Sequence, residues 1–139
     1  MWSGWKQAAA KLGAPFTLTV EEVRAKVEAA VGRPCRFCRE PITLREFSGD
    51  HQIPASAGGA FANDNLDIIC RRDNEIKGNM STIEYSMLVA TVRTFREESR
   101  ADTFRRLRLG SKAMWSTGGW RDSKKGKKPE VVDVYASKA

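Results

Sequence analysis

Between Ile42 and Gly78 the chain carries two short apolar runs, a glycine pair and a capped polar segment, and this order leaves few folds open. An extended segment around Ile42 to Phe47 leads into Gly49-Asp50-His51-Gln52-Ile53-Pro54, and Gly58-Gly59 marks a turn. After a polar loop with Asn63, Asp64 and Asn65 comes Leu66-Asp67-Ile68-Ile69, which runs into Cys70-Arg71-Arg72-Asp73-Asn74-Glu75-Ile76-Lys77 with Gly78 as the expected C-cap. The middle of the chain therefore reads strand, turn, strand, helix. Helices flank it. Thr19 and Glu22 form a capping box ahead of Val20, Val23, Val27 and Val31 at helical spacing, and Gly32 and Pro34 stop that helix. Ser81 and Glu84 form a second box, with Ile83, Met87, Leu88, Val92 and Phe95 expected on one face of a helix running to about Glu98. A shorter helix from about Asp102 to Leu109 should turn Phe104 and Leu107 inward and Arg105, Arg106 and Arg108 outward. The class expected is α+β.

At 139 residues the chain has the length of one domain, and 41% hydrophobic with 29% charged residues is a globular composition. Residues 1–18 lack clear periodicity and contain Gly4, Gly13 and Pro15, so they read as a loosely structured leader with Trp2 and Trp5 docking on the core. Residues 19–109 form the expected domain. Residues 110–139 read as a basic tail, with a late strand from Val131 to Tyr135 and Trp115 and Trp120 capping the core. No apolar run approaches the ~20 residues of a membrane span, so no membrane partner is expected. The first residues carry no apolar stretch of the secretory kind, which gives a cytoplasmic expectation.

Lys and Arg exceed Asp and Glu by 24 to 17, a net charge of +7 that favours a polyanionic partner. Arg105, Arg106 and Arg108, together with Lys124, Lys125, Lys127 and Lys128, are the candidate contacts to a nucleic-acid backbone. Such contacts position a protein without specifying a sequence.

The chain has one histidine, His51, directly after Asp50 at the end of an extended segment. In a strand the two side chains point to opposite faces, so they suit different tasks at a phosphate: carboxylate on metal, imidazole on water. Phosphodiester hydrolysis needs an activated water and compensation for the charge that builds on the phosphate. A hard divalent ion with oxygen ligands supplies the second, and a neutral imidazole supplies the first. Asp50 and the Asn74 amide oxygen are ligands of that kind.

Asp50-His51, Gly58-Gly59, Asn65-Leu66, Cys70 and Asn74-Glu75-Ile76-Lys77-Gly78 occur in an order and spacing that resembles HNH endonucleases, over roughly residues 33 to 80. The resemblance implies a ββα-metal core with flanking N- and C-terminal helices. It implies Asp50 and Asn74 as ligands of one divalent ion, Mg²⁺ or Mn²⁺ by expectation. By the same resemblance His51 is the general base, Asn65 the loop residue that orients it, and DNA the substrate. The helical stretch from Ser81 to Leu109 is also similar to the extension of small phage-encoded HNH proteins.

Cys35-x-x-Cys38 is a knuckle that presents two thiolates to one tetrahedral ion, and three cysteines, an odd number, argue against a disulfide framework. In zinc-bearing HNH proteins a second Cys-x-x-Cys completes the site; here that pair reads Cys70-x-x-Asp73. A structural zinc held by Cys35, Cys38, Cys70 and Asp73 is expected. The alternative is a decayed cluster whose cysteines persist as small buried apolar residues. Two other functions remain open: a zinc-stabilised DNA-binding module without catalysis, and an accessory protein of a phage DNA-packaging complex.

Overall fold

The computed structural model describes residues 2–116. Its elements are α1 (Trp2–Leu12), α2 (Val20–Ala30), β1 (Phe47–His51), β2 (Leu66–Cys70), α3 (Arg71–Lys77), α4 (Thr82–Val92) and α5 (Glu97–Ser116). β1 and β2 pair antiparallel, with Phe47 opposite Cys70, Asp50 opposite Asp67 and His51 opposite Leu66. Strand, strand and helix in that order are the ββα core, and the fold is α+β. No helix among the described residues is long and apolar enough to cross a membrane.

The loop between the strands is shaped by two residues. Gly59 leaves no room for a side chain, because a Cβ there would lie 1.8 Å from the Ile53 carbonyl oxygen. Asn65 then ties the loop down. Its amide nitrogen donates to the carbonyls of Ile53 and Ala60, each at 2.9 Å, and its oxygen accepts from the Ile53 N–H at 2.9 Å. The cysteine knuckle is closed in a similar way, by the Pro34–Pro41 bridge and by Cys35 N–H donating to Glu40 O at 2.8 Å.

Two apolar clusters flank the sheet. One joins Cys35, Phe37, Ile42, Ile68, Ile69, Ile76, Tyr85 and Val89; the other joins Ala9, Leu18, Val23, Phe61 and Leu66. Both capping boxes form, Thr19 with Glu22 and Ser81 with Glu84. α5 turns Phe104 and Leu107 onto the first cluster, as expected.

Four local expectations are corrected. The leader is helical from Trp2 to Leu12, ended by Gly13 at φ 62°, and it buries Ala9. The first strand begins at Phe47, because residues 44–46 form a turn. α4 stops at Val92 and buries Tyr85, Val89 and Val92, leaving Ile83 and Met87 in solvent. α5 begins at Glu97 and runs through Gly110 to Ser116, where a short helix ending at Leu109 was expected. An interior glycine costs a helix about 1 kcal/mol, too little to break one packed along its length. Lys124, Lys125, Lys127, Lys128, Trp120 and the Val131–Tyr135 strand lie outside the described residues.

Candidate metal centre and nuclease site

The cysteines and Asp73 converge. Ligand atoms of Cys35, Cys38, Cys70 and Asp73 all lie within 4.8 Å of one another. Asp73 Oδ2 accepts from Cys70 Sγ at 2.8 Å and from Cys35 Sγ at 3.4 Å, and Cys38 Sγ is 3.7 Å from Cys70 Sγ. The knuckle contributes two donors, the end of β2 a third and the first turn of α3 the fourth. That geometry follows from the sequence, since Cys70 is the N-cap of α3 and Asp73 lies one turn on, with its backbone N–H directed at the Cys70 sulfur.

The electrostatics of the cluster set its thiols and carboxyl against one another, with the Arg72 guanidinium as a neighbouring cation. Hydrogen bonding from Cys70 holds the Cys35 thiol low, at about 6, while burial pushes Cys38 up to about 11. The bond that Cys70 gives to Cys35, followed by burial, pushes Cys70 up as well. Burial would raise Asp73, but hydrogen bonds from Cys70 and Tyr85, then Cys38 and Cys35, hold it below the usual carboxylate range. One thiolate forms readily beside the carboxylate and the others resist, which a divalent cation would reverse. Three sulfurs and one oxygen in a partly closed pocket suit a tetrahedral ion, so these residues can hold a metal. Tyr85, fully buried, donates to Asp73 Oδ1 at 2.6 Å.

The Asp50–His51 pair lies at the other end of β1. Its two side chains diverge. Asp50 faces α3, where Lys77 Nζ reaches its Oδ1 at 2.9 Å and also the His51 carbonyl at 2.8 Å. Lys77 is 0% and Asp50 5% exposed, so this is a buried ion pair. Asp50 Oδ2 is buried without a hydrogen-bond partner. Burial, working against Lys77, raises the Asp50 carboxyl to about 6. Asn74, one turn before Lys77, donates to Ser48 Oγ at 2.7 Å, and Ser48 shares the α3 face of β1 with Asp50. Asn74 and Asp50 therefore lie on facing elements, with Lys77 as the direct partner of Asp50.

His51 turns to the opposite side. Its ring sits 4.3 Å from the Phe61 ring and 5.7 Å from the Trp5 ring, both edge-on, and Nε2 is buried without a partner. Burial, with Lys77 second, lowers the imidazole to about 4, so it is neutral at physiological pH. The side-chain bonds of Asn65 go to the backbone of Ile53 and Ala60. It shapes the loop that follows His51, where the resemblance implied an orienting bond to the base.

The three candidate arginines of α5 are ion-paired. Arg105 and Arg106 pair with Asp102 at 2.5 and 2.7 Å, and Arg108 pairs with Glu75 at 2.5 Å. Arg105 and Arg106 remain well exposed and the former pairs are weak in water.

Lys77 and Tyr85 were missed as partners of the two centres. Asn74 and Lys77 are three apart on one short helix and so share a face, a signal that was present for Lys77. Tyr85 offered none, since only the fold brings α4 against Asp73.

Residues 35–87 match the family model described as HNH endonuclease. The match spans the knuckle, both strands, α3 and the first half of α4, less than half of the chain. A search of curated proteins found no match.

Proposed function

We propose that this chain is a metal-dependent endonuclease that hydrolyses DNA phosphodiester bonds. The observation that carries the reading is the family match over a segment in which Asp50-His51 ends one strand and Asn74 stands on the next helix. Asp50 and Asn74 would hold the divalent ion, which would supply charge compensation at the phosphate. The unpartnered Asp50 Oδ2 is a suitable donor, since a buried carboxylate oxygen without a hydrogen bond is costly unless a cation or water satisfies it. Lys77 keeps the other oxygen and so fixes the direction from which an ion could approach.

His51 is the proposed base. Its neutrality makes Nε2 able to accept a proton, and general-base catalysis of this kind is worth roughly 10² to 10⁴ in rate. For Nε2 to reach water, the cover of Trp5 and Phe61 must open on the side facing the substrate. Arg105 and Arg106 on α5, with the lysines of the tail, are proposed to contact phosphates. The domain is proposed to run from α1 to α5, with the basic tail after it. The metal of the cysteine cluster is proposed to be a structural zinc, because three sulfurs favour a softer ion than Mg²⁺.

The test is relaxation of supercoiled plasmid with Mg²⁺, with Mn²⁺ and with excess chelator. Metal-dependent nicking that chelator abolishes is expected. A second reading, a DNA-binding module without catalysis, draws on the caged His51 and the Lys77–Asp50 pair. Tight DNA binding with no nicking under any ion would favour it.

A further inference from the structure

An aspartate in a cluster otherwise made of thiolates poses a geometric problem. A cysteine offers one donor atom, whereas a carboxylate offers two and can rotate between one-oxygen and two-oxygen coordination or draw in a water. The two Asp73 oxygens have different surroundings. Oδ2 is turned to Cys35 and Cys70, and Oδ1 accepts the Tyr85 hydroxyl at 2.6 Å. Tyr85 is 0% exposed and comes from α4, outside both cysteine-bearing segments. Its ring packs edge-on against Phe37, between the two knuckle cysteines, at 4.6 Å. α4 is itself fixed by the Ser81–Glu84 box and by Thr82 N–H donating to Gln52 O at 2.8 Å. The hydroxyl is thus held rigidly over one carboxylate oxygen.

We propose that Tyr85 is the positioning residue that lets Asp73 take the place of a fourth thiolate: its hydroxyl holds Oδ1 and leaves Oδ2 as the single ligating oxygen. A neutral O–H donor does this without adding a positive charge that would compete with the ion. Packing alone would need only the ring, and a phenylalanine would fill the same space. Outer hydrogen bonds of this kind orient ligands and typically contribute 10–100-fold in metal affinity. The inference rests on the reading that the cluster holds a metal.

The experiment uses the full chain in four forms: wild type, Tyr85→Phe, Asp73→Cys and the double substitution. Zinc affinity is measured by competition with a chromophoric chelator, and ligand geometry by the visible absorption of the Co²⁺-loaded protein. Tyr85→Phe should weaken zinc binding about 10–100-fold where Asp73 is present, and by less than about threefold in the Asp73→Cys background, which has no second oxygen to restrain. Co²⁺ in the wild type should show the intense bands of a tetrahedral site, and Tyr85→Phe should dim them as coordination expands. Equal losses in both backgrounds would reduce Tyr85 to packing and overturn the inference. So would a weak, six-coordinate Co²⁺ spectrum in the wild type, which requires no variant to fold. A wild type that takes up no zinc would remove the cluster reading itself, whereas zinc-binding wild type with no coupling removes the inference alone.

Discussion

The two centres, on either side of α3, are built on opposite principles. At the Cys35–Cys38–Cys70–Asp73 cluster four donor atoms already lie within 4.8 Å of one another. At Asp50 and His51 the charge is already matched by Lys77, the two side chains face apart, and the imidazole is shielded by Trp5 and Phe61. A structural metal site is closed by its four protein ligands, whereas a catalytic one keeps a position open for water or substrate. The same short helix serves both, with Asp73 in the cluster and Asn74 and Lys77 bonded to Ser48 and Asp50 of β1.

The largest effect should come from breaking the cluster. Structural zinc contributes about 10–16 kcal/mol of apparent binding energy in zinc-finger peptides, so removing it with a strong chelator, or Cys38→Ser, should lower the melting temperature sharply. Elemental analysis should find close to one zinc per chain. A metal-free protein with unchanged melting would put the cysteines among ordinary core residues.

Next in size is the buried ion pair. Lys77→Met leaves the Asp50 charge buried without a partner and should cost about 3–5 kcal/mol, most of it recovered by adding Asp50→Asn. Denaturant midpoints measure both. A loss well under ~1 kcal/mol for the single variant would mean that Asp50 takes up a proton or finds water when Lys77 is gone.

Smaller again is a pair of opposed pH effects. His51 is lowered to about 4 from 6.5, so between those values the unfolded chain takes up a proton that the folded chain refuses. Its contribution is complete above pH 6.5 and is lost as pH falls towards 4, with a slope of at most ~1.4 kcal/mol per unit, less for its partial exposure. Asp50 is raised to about 6 from 3.8, so its contribution is present below 3.8 and is lost as pH rises through 6. The two nearly offset in the wild type. His51→Phe should therefore gain on the wild type as pH falls from 6.5 to 4, and Asp50→Asn should lose on it over the same range. Parallel stability curves for all three proteins would show that neither group is buried as described.

What could be read from the sequence follows from how local each feature is. The strand–turn–strand–helix core, both capping boxes and the Asp73 position were legible because each depends on residues three or four apart, or on a turn that only glycine permits. The divergence of Asp50 and His51 followed from strand alternation alone. The face of α4 was misjudged because that helix is apolar on several sides, so periodicity could not choose between Ile83–Met87 and Tyr85–Val89. The choice is made by Asp73 and Phe37, which Tyr85 meets across the fold. α1 was missed although Gly13 is a left-handed cap after an alanine-rich run, since the glycines were weighed as signs of a loop. The caging of His51 by Trp5 joins positions far apart in the chain and had no local signature.

The central claim, that His51 is the base of a metal-dependent nuclease, is tested most directly by plasmid nicking with His51→Ala beside Asp50→Ala over a range of Mg²⁺ or Mn²⁺ concentrations. Folding of each variant is checked by circular dichroism. His51→Ala should lose about 10²-fold or more in rate with DNA binding nearly intact, and added metal should not restore it, because the missing step is proton removal. Asp50→Ala should be partly recovered at high metal, since its defect is in holding the ion. A folded His51→Ala protein that nicks at the wild-type rate would contradict the account.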